Sequence, residues 1–281
     1  MSLSPILERA RASRSRIVVA PGDSGLGAAA QSLGLGSLEI IGPGETGARD
    51  PRHAAVAELL RSRRPERVRD GIHALDLAAD PVRFAVGLVA LGEADGMVGG
   101  PGVSARTLAD AAEWTMPAPR DGMAVRAVHW LVLPGGAVVA LADCQLAGRL
   151  DAGERVAMGV AAAAAHARLG NGPPRVAFLA GPDDDSPETL VAGFAAIRPG
   201  IPATADRRVR LRDGANVLIF PGGESGHLAL RTARDLSGAR VLGPLLVGPP
   251  GVIAGVAEDA DFDEMAGTIA LAALMAAPAG T

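Results

Sequence analysis

The sequence predicts an α/β fold in which a largely parallel sheet is covered by helices on both faces. Short apolar runs alternate with helical segments along the whole chain, and most of the apolar runs end at glycine or proline turns. Hydrophobic residues make up 48% of the 281 residues while aromatic residues make up 2%, so the core must consist mainly of Ala, Val and Leu. This length allows two compact lobes or one large domain.

The predicted strands are short apolar runs bounded by turn residues. They are Arg16–Ala20, Leu38–Ile41, Met97–Val98, Val125–Leu133, Gly136–Ala142, Arg175–Ala180, Asn216–Phe220 and Leu245–Val247. Between the fourth and fifth runs, Pro134 and Gly135 predict a hairpin turn. Because most runs are separated by helical segments, the strands are expected to lie parallel.

The predicted helices fill the intervals between these strands. They are Ile6–Ala12, Leu26–Leu33, His53–Arg64, Pro81–Leu91, Thr107–Trp114, Arg155–Leu169, Leu190–Ile197, Leu228–Leu236 and Phe262–Met275. Asp151 and Glu154 have the spacing of a capping box before the sixth helix. Prolines punctuate residues 116–119, which predicts a crossing between two lobes there.

Composition excludes several functions. The formal net charge is −4 and no long basic run occurs, so nucleic acid is not the expected partner. The chain contains no lysine, which excludes a P-loop lysine, a Schiff base with pyridoxal phosphate and a kinase-type lysine. Arginine binds phosphate through paired hydrogen bonds, so phosphate ligands remain possible.

Cys144 is the single cysteine, which excludes an internal disulfide and a multi-cysteine zinc site. It follows an apolar run and is predicted to be a buried structural thiol. The five histidines lack metal-ligand spacing, so no metal is expected. The N-terminus lacks a signal-peptide core and no run is apolar enough to span a bilayer, so we expect a cytoplasmic protein without membrane contact.

The segment Leu91–Thr107, LGEADGMVGGPGVSART, is the most informative part of the chain. It joins a buried strand to a helix through Gly99, Gly100 and Gly102, and glycine lets a ligand approach the backbone closely. Ser104 is predicted to cap the helix that follows, and backbone N–H groups at such a helix start bind anions. An ordinary strand-to-helix loop would have the same glycine spacing.

Five segments in order resemble the phosphate acetyl/butyryl transferase family. They are SPILERARA with RIVV near the start, LGEADGMVGG at Leu91–Gly100, LADC at Leu141–Cys144, NVLIFP at Asn216–Pro221 followed by Gly226, and Gly243–Pro244. The resemblance implies two α/β lobes with a cleft between them, an architecture similar to that of isocitrate and isopropylmalate dehydrogenases. The implied lobes are residues 1–117 with 244–281, and residues 118–243.

The resemblance also implies site residues. Asp263 matches the family's catalytic base, Ser104 its hydroxyl, and Arg64 its phosphate-side arginine. The implied substrate-binding residues are Gly99, Gly100, Arg106, Gly226 and His227. Three of these residues also have a purely structural explanation. Arg64 ends a predicted helix within an arginine cluster, and His227 is placed to cap a helix. Asp263 lies at a helix start, where the helix dipole favours an acidic residue.

The chain departs from the family pattern at several positions. A second hydroxyl is expected at Ala105, an arginine at Asp110, and a serine and arginine at Val256 and Ala257. Arg106 lies one helical turn from Asp110 and is the expected substitute. In the second lobe, Asp183–Asp185 stand where the family has a Ser/Thr/Gly-rich loop. Three consecutive aspartates more commonly form an acidic turn that faces solvent.

The resemblance implies acyl transfer between coenzyme A and phosphate, with CoA as substrate, no tightly bound cofactor and no metal. The missing residues leave open a non-catalytic alternative, in which the protein binds CoA, an acyl-CoA or a phosphorylated metabolite as a regulator. A decarboxylating dehydrogenase ranks lower because the lysine it needs is absent. The alanine-rich helix Arg155–Leu169 favours a homodimer, although packing within one subunit explains it equally well.

Overall fold

A computed structural model of the chain describes residues 3–21, 24–42, 50–118, 124–146, 148–169, 172–180, 187–206 and 214–278. Contacts divide it into two compact units, each described separately below. The first unit comprises residues 3–122 and 243–281, and the second comprises residues 123–242. The lobe boundaries expected from the sequence, after residues 117 and 243, stay a prediction.

The elements follow the chain from α1 to α10. The first are α1 Ser4–Ala12, β1 Ile17–Val19, α2 Ser24–Ser32, β2 Leu38–Ile40, α3 His53–Arg63, α4 Gly71–Ala78, α5 Pro81–Ala90, β3 Gly96–Gly99 and α6 Ala105–Thr115. The next are β4 Arg126–Val132, β5 Val138–Ala142, α7 Ala152–Leu169, β6 Val176–Leu179, α8 Pro187–Ile197, β7 Ala203–Asp206, β8 Val217–Ile219 and α9 Gly223–Ser237. The last are β9 Arg240–Val247, β10 Val252–Gly255 and α10 Phe262–Ala276.

In the first unit, strands β2, β1, β3 and β10 are parallel neighbours in that order. β9 joins them antiparallel to β10. Helix α10 packs with α1 and α2, whereas α6 packs with α3 and α5, so the two groups cover opposite faces of the sheet. Both faces of the sheet are therefore buried. This explains why Ile17–Val19 and Met97–Val98 are continuous apolar runs rather than segments in which apolar and polar residues alternate.

In the second unit, β4 and β5 form the predicted antiparallel hairpin, and β5, β8, β6 and β7 continue in that order as parallel strands. Helices α7 and α8 pack together against this sheet. α9 contributes Leu230 to a core that includes Leu141 and Leu218. The predicted capping box of α7 is confirmed, because Glu154 N donates to Asp151 Oδ1 (2.8 Å) and Asp151 N donates to Glu154 Oε2 (3.0 Å).

The predicted α/β fold is confirmed, and the sheet is more mixed than expected because β4 and β9 run antiparallel to their neighbours. Sequence reasoning missed α4, β7 and β10. It also began α9 at Leu228, five residues late. Pro221, Gly222 and Gly223 suggested a turn there, but the helix already begins at Gly223. Within the described ranges, no helix is long and apolar enough to cross a membrane.

Candidate active site

The turn from β3 to α6 places Ser104 at the start of a helix. Gly102 has φ +86°, a conformation that favours glycine, and the chain then enters α6 with Ser104 as its N-cap. Ser104 Oγ accepts a hydrogen bond from Thr107 N (3.0 Å), which confirms the predicted cap. Thr107 Oγ1 lies 2.9 Å from Ser104 Oγ, so two exposed hydroxyl groups share a hydrogen bond.

Arg106 lies between these hydroxyls in the sequence and is exposed. Of the carboxylates that the structure describes, none forms an ion pair with Arg106. A cation in the first turn of a helix is unfavourable to the helix dipole, whereas the N–H groups of that turn attract anions. An anion at this helix start would be attracted both by the N–H groups and by the positive charge of Arg106.

The start of α10 places Asp263 at the same edge of the same sheet. Asp261 is the N-cap and Glu264 completes a capping box, with Glu264 N to Asp261 Oδ1 at 2.7 Å and Asp261 N to Glu264 Oε2 at 3.0 Å. Two carboxylates are thus used for capping, and Asp263, which is exposed, lies between them in the sequence. The predicted helix-start position is confirmed; the role as a base stays a prediction.

Helices α6 and α10 follow neighbouring parallel strands, since Gly99 of β3 pairs with Gly255 of β10. They leave the carboxyl edge of the sheet toward opposite faces. In open α/β sheets, ligands bind in the crevice that forms where neighbouring connections diverge in this way. The structure therefore brings Ser104, Arg106 and Asp263 to one such edge of the first unit.

Gly99 and Gly100 lie at this edge, where close packing within the protein requires glycine. A Cβ atom on Gly99 would lie 3.0 Å from Leu108 Cδ2, and one on Gly100 would lie 2.4 Å from the carbonyl oxygen of Pro21. The space beside each α-carbon is therefore filled by α6 and by the turn after β1. Substrate contact by either glycine would have to be made through its backbone.

Arg64 is directed toward the other end of α6. It caps the C-terminus of α3, and its Nη2 donates to the carbonyl oxygen of Glu113 while Nη1 donates to Arg63 O (3.2 Å). Glu113 is nine residues beyond Ser104, roughly 13 Å along a helix that rises 1.5 Å per residue. In this arrangement Arg64 is engaged away from the sheet edge at which Ser104 and Asp263 lie.

The acidic residue Asp110 is neutralised by a neighbouring helix. Arg83 Nη2 of α5 lies 3.3 Å from Asp110 Oδ2, and the Arg83 guanidinium carbon lies 5.5 Å from the centre of the Trp114 ring. Arg67 stacks on Trp114 at the same distance and pairs with Glu113 Oε1 at 3.1 Å. A cation therefore lies beside position 110, although the side chain there is an aspartate.

In the second unit, Gly226 and His227 lie in the early part of α9. A Cβ atom on Gly226 would lie 2.2 Å from the carbonyl oxygen of Asp143, so the helix rests on the backbone at the end of β5. His227 is half-buried. The structure corrects the view of His227 as a cap, because the N-cap of α9 is Gly222 and His227 is five residues further on.

Sequence reasoning missed two buried titratable residues near this point. Burial lowers the pKa of His129 on β4 to about 3, and the charge of His227 contributes to the shift. Burial raises the pKa of Asp143, while N–H groups of Gln145 and Leu146 partly oppose that shift. The LADC segment was a sequence signal for Asp143. His129 had no such signal, because it lies within an apolar run that predicts only a strand.

Cys144 is fully buried, and burial followed by the charge of Asp143 raises the pKa of its thiol. The predicted structural thiol is confirmed. Val256 is buried and Ala257 half-buried, and neither side chain carries the hydroxyl or the cation that the resemblance implies at these two positions. Asp183–Asp185 lie outside the described residues. No group of three or more potential metal ligands occurs in the described part of the chain.

A family model and several known proteins resemble this chain in sequence. A family model described as phosphate acetyl/butaryl transferase matches residues 1–193. A phosphate acetyltransferase of Paracoccus denitrificans is 31% identical over 246 residues, which cover 76% of this chain and 77% of that protein. A phosphate acetyltransferase of Corynebacterium glutamicum is 27% identical over 252 residues, with coverage of 81% and 76%.

The fold is also similar to that of a phosphotransacetylase from Streptococcus pyogenes, with a TM-score of 0.78 and 19% sequence identity. That match covers 98% of this chain and 99% of the other, and at this identity it shows a shared fold. The family match covers more than half of the chain, and the Paracoccus relative supports it over three quarters of its length. The chain belongs to the phosphate acetyl/butaryl transferase family.

Proposed function

We propose that this protein transfers an acyl group between coenzyme A and phosphate. The observation that carries the proposal is the divergence of α6 and α10 from neighbouring strands β3 and β10, with Ser104, Arg106 and Asp263 at the starts of these helices. Family membership supports the reaction class. The substrates are a CoA thiol or thioester and phosphate or an acyl phosphate, without a tightly bound cofactor.

The reaction requires a base, a carbonyl activator and an anion site. Asp263 accepts the proton of the CoA thiol, and the sulfur attacks the carbonyl carbon of the acyl phosphate. A C–S bond forms, the C–O bond to phosphate breaks, and phosphate leaves with the bonding electron pair. The reverse reaction runs through the same steps, with phosphate oxygen attacking the thioester and the thiol regaining its proton.

The starts of the two helices suit the remaining roles. Arg106 and the N–H groups of the first turn of α6 hold the phosphoryl group, because that turn attracts anions. The Ser104 hydroxyl donates to the carbonyl oxygen as negative charge develops there. Asp263 is exposed to solvent, so a thiol can reach it.

The other predicted residues take secondary roles in this proposal. Arg64 reaches a phosphate beside Ser104 only after releasing the carbonyl oxygen of Glu113. Gly99 and Gly100 contribute backbone groups at the turn. Gly226 and His227 belong to the second unit, where substrate binding remains the role proposed for them.

Turnover with purified protein tests the proposal directly. Acetyl-, propionyl- and butyryl-CoA are each incubated with phosphate, and acyl phosphate and free thiol are both measured. Equal formation of the two products is expected, and Asp263→Asn should lower kcat by a factor of about 100 or more. If folded wild-type protein binds CoA by calorimetry without turnover of any thioester, the non-catalytic alternative replaces this proposal.

The two candidate phosphate arginines give different expected outcomes. Arg106→Met removes the cation beside the proposed phosphate and should raise the KM for phosphate about tenfold. Arg64→Met should change that KM by less than about threefold, because Arg64 is engaged at the far end of α6. Steady-state kinetics with phosphate varied at saturating acyl-CoA provide the comparison. A larger effect of Arg64→Met would place the phosphate near Glu113.

A further inference from the structure

The side-chain hydroxyl groups of Ser104 and Thr107 form a hydrogen bond with each other across the first turn of α6. Ser104 Oγ accepts from Thr107 N at 3.0 Å, and the two side-chain oxygens lie 2.9 Å apart. A single hydroxyl hydrogen occupies the space between those oxygens, because one group donates and the other accepts. The pair therefore always retains one further O–H, and both residues are exposed.

Either hydroxyl can donate in this pair, and the two arrangements differ in which residue offers an O–H to substrate. When Thr107 donates, Ser104 Oγ accepts from both Thr107 Oγ1 and Thr107 N, and its own O–H must point elsewhere. A hydroxyl that accepts two hydrogen bonds becomes a stronger donor, because hydrogen bonds in a chain polarise one another. Thr107 is also β-branched, which restricts rotation of its side chain and fixes the pair.

We propose that Thr107 is a positioning residue that directs the Ser104 O–H toward the carbonyl oxygen of the acyl group. This inference rests on the proposed function and adds a residue that acts through Ser104. At the next position, Ala105 is buried and has no hydroxyl. The second hydroxyl at this helix start comes instead from the residue three positions after Ser104, on the same side of the turn.

Substitution of Thr107 separates orientation from helix capping. Thr107→Val removes the hydroxyl but keeps the β-branched shape and the backbone N–H that Ser104 caps. We expect kcat to fall about fivefold, as for one lost hydrogen bond, with both KM values within about twofold of wild type. Thr107→Ser restores the hydroxyl and should recover kcat to within about twofold. Thr232→Val, at an exposed position of α9, is the matched control and should leave kcat unchanged.

A double-variant comparison distinguishes positioning from an independent contribution. If Thr107 acts only through Ser104, then Ser104→Ala with Thr107→Val should have the same kcat as Ser104→Ala alone. Wild-type kcat in Thr107→Val, or effects that multiply in the double variant, would overturn the inference while leaving acyl transfer intact. Absence of turnover in folded wild-type protein would reject the proposed function and this inference together.

Discussion

Ser104 combines two roles that substitution can separate. As N-cap it accepts from Thr107 N, and as a hydroxyl it is proposed to donate to substrate. Asn also caps helices but has no hydroxyl, so Ser104→Asn should keep the free energy of unfolding near wild type, whereas Ser104→Ala should lower it by about 1 kcal/mol. Both variants should lose activity to a similar extent. Urea unfolding with the acyl phosphate assay tests this, and full activity in Ser104→Asn would contradict the hydroxyl role.

His166 on α7 is a fully buried polar side chain. Among the residues that the structure describes, neither of its ring nitrogens has a hydrogen-bond partner. Replacing an unsatisfied buried group by an apolar one of similar size removes a desolvation penalty, so His166→Leu should raise the free energy of unfolding by about 1–3 kcal/mol at pH 7. Denaturant unfolding measures the change. His166→Gln stays polar and should give no gain, so equal stabilisation by both variants would contradict the explanation.

The docking of α6 depends on two glycines at neighbouring strand ends. Leu108 packs on Gly99 and Gly255, and a Cβ atom on Gly255 would lie 2.7 Å from Leu108 Cδ1. Gly255→Ala should therefore displace α6 and lower the free energy of unfolding by about 1–3 kcal/mol. Because Ser104 begins that helix, kcat should fall as well.

Gly36→Ala is the matched control for this element-scale prediction. Gly36 is exposed, and no atom of the described residues lies within 4 Å of the position that its Cβ would take. The free energy of unfolding of the Gly36→Ala variant should stay within about 0.5 kcal/mol of the wild-type value. Thermal or urea unfolding of both variants gives the comparison, and a Gly255→Ala variant as stable as the control would show that α6 docks differently.

Most helices and strands could be predicted because their patterns are local. Apolar runs ending at turn residues gave β1, β3 and β8, and the capping box of α7 was readable from two acidic residues. β10 was missed because its parallel partner β3 is more than 150 residues away in the sequence, so no local pattern shows that pairing. Glycine propensity misled the prediction of α9, since a backbone contact with Asp143 requires glycine inside that helix.

The candidate site was only partly predictable for the same reason. Ser104 and Asp263 could be found because helix starts have recognisable sequences. Thr107 was not predicted as a site residue, because its proposed role depends on the distance between two side chains and not on a sequence motif. The pairing of Asp110 with Arg83 and the attachment of Arg64 to Glu113 join separate helices, and no local pattern reveals such contacts.

The whole molecule should lose stability in mild acid. The pKa is lowered to about 3 for His129 and to about 4 for His166, in both cases mainly by burial, while an unfolded histidine titrates near 6.5. Between pH 6.5 and 4 the unfolded chain therefore binds protons that the folded protein excludes, and stability falls as pH falls. Each histidine contributes about 1.4 kcal/mol per pH unit in that range.

Protonation of Asp143 increases stability as pH falls. Its raised pKa lets the folded protein bind this proton at a higher pH than the unfolded chain does. This gain begins as pH falls through the raised pKa and ends near the unfolded value of about 3.9. Urea midpoints at pH 7, 6 and 5 test the prediction, and His166→Leu should reduce the pH dependence by one proton. A constant midpoint from pH 7 to 5 would contradict it.

By itself, the sequence determined the α/β class, most of its elements and the resemblance to the family, because periodicity, turns and caps are encoded within short segments. It also excluded lysine-dependent chemistry outright. Only the tertiary structure decided which helix starts share a sheet edge, which arginines are engaged elsewhere and which hydroxyls meet. These outcomes depend on contacts between residues far apart in the chain, whose side-chain geometry is set by packing rather than by neighbouring residues.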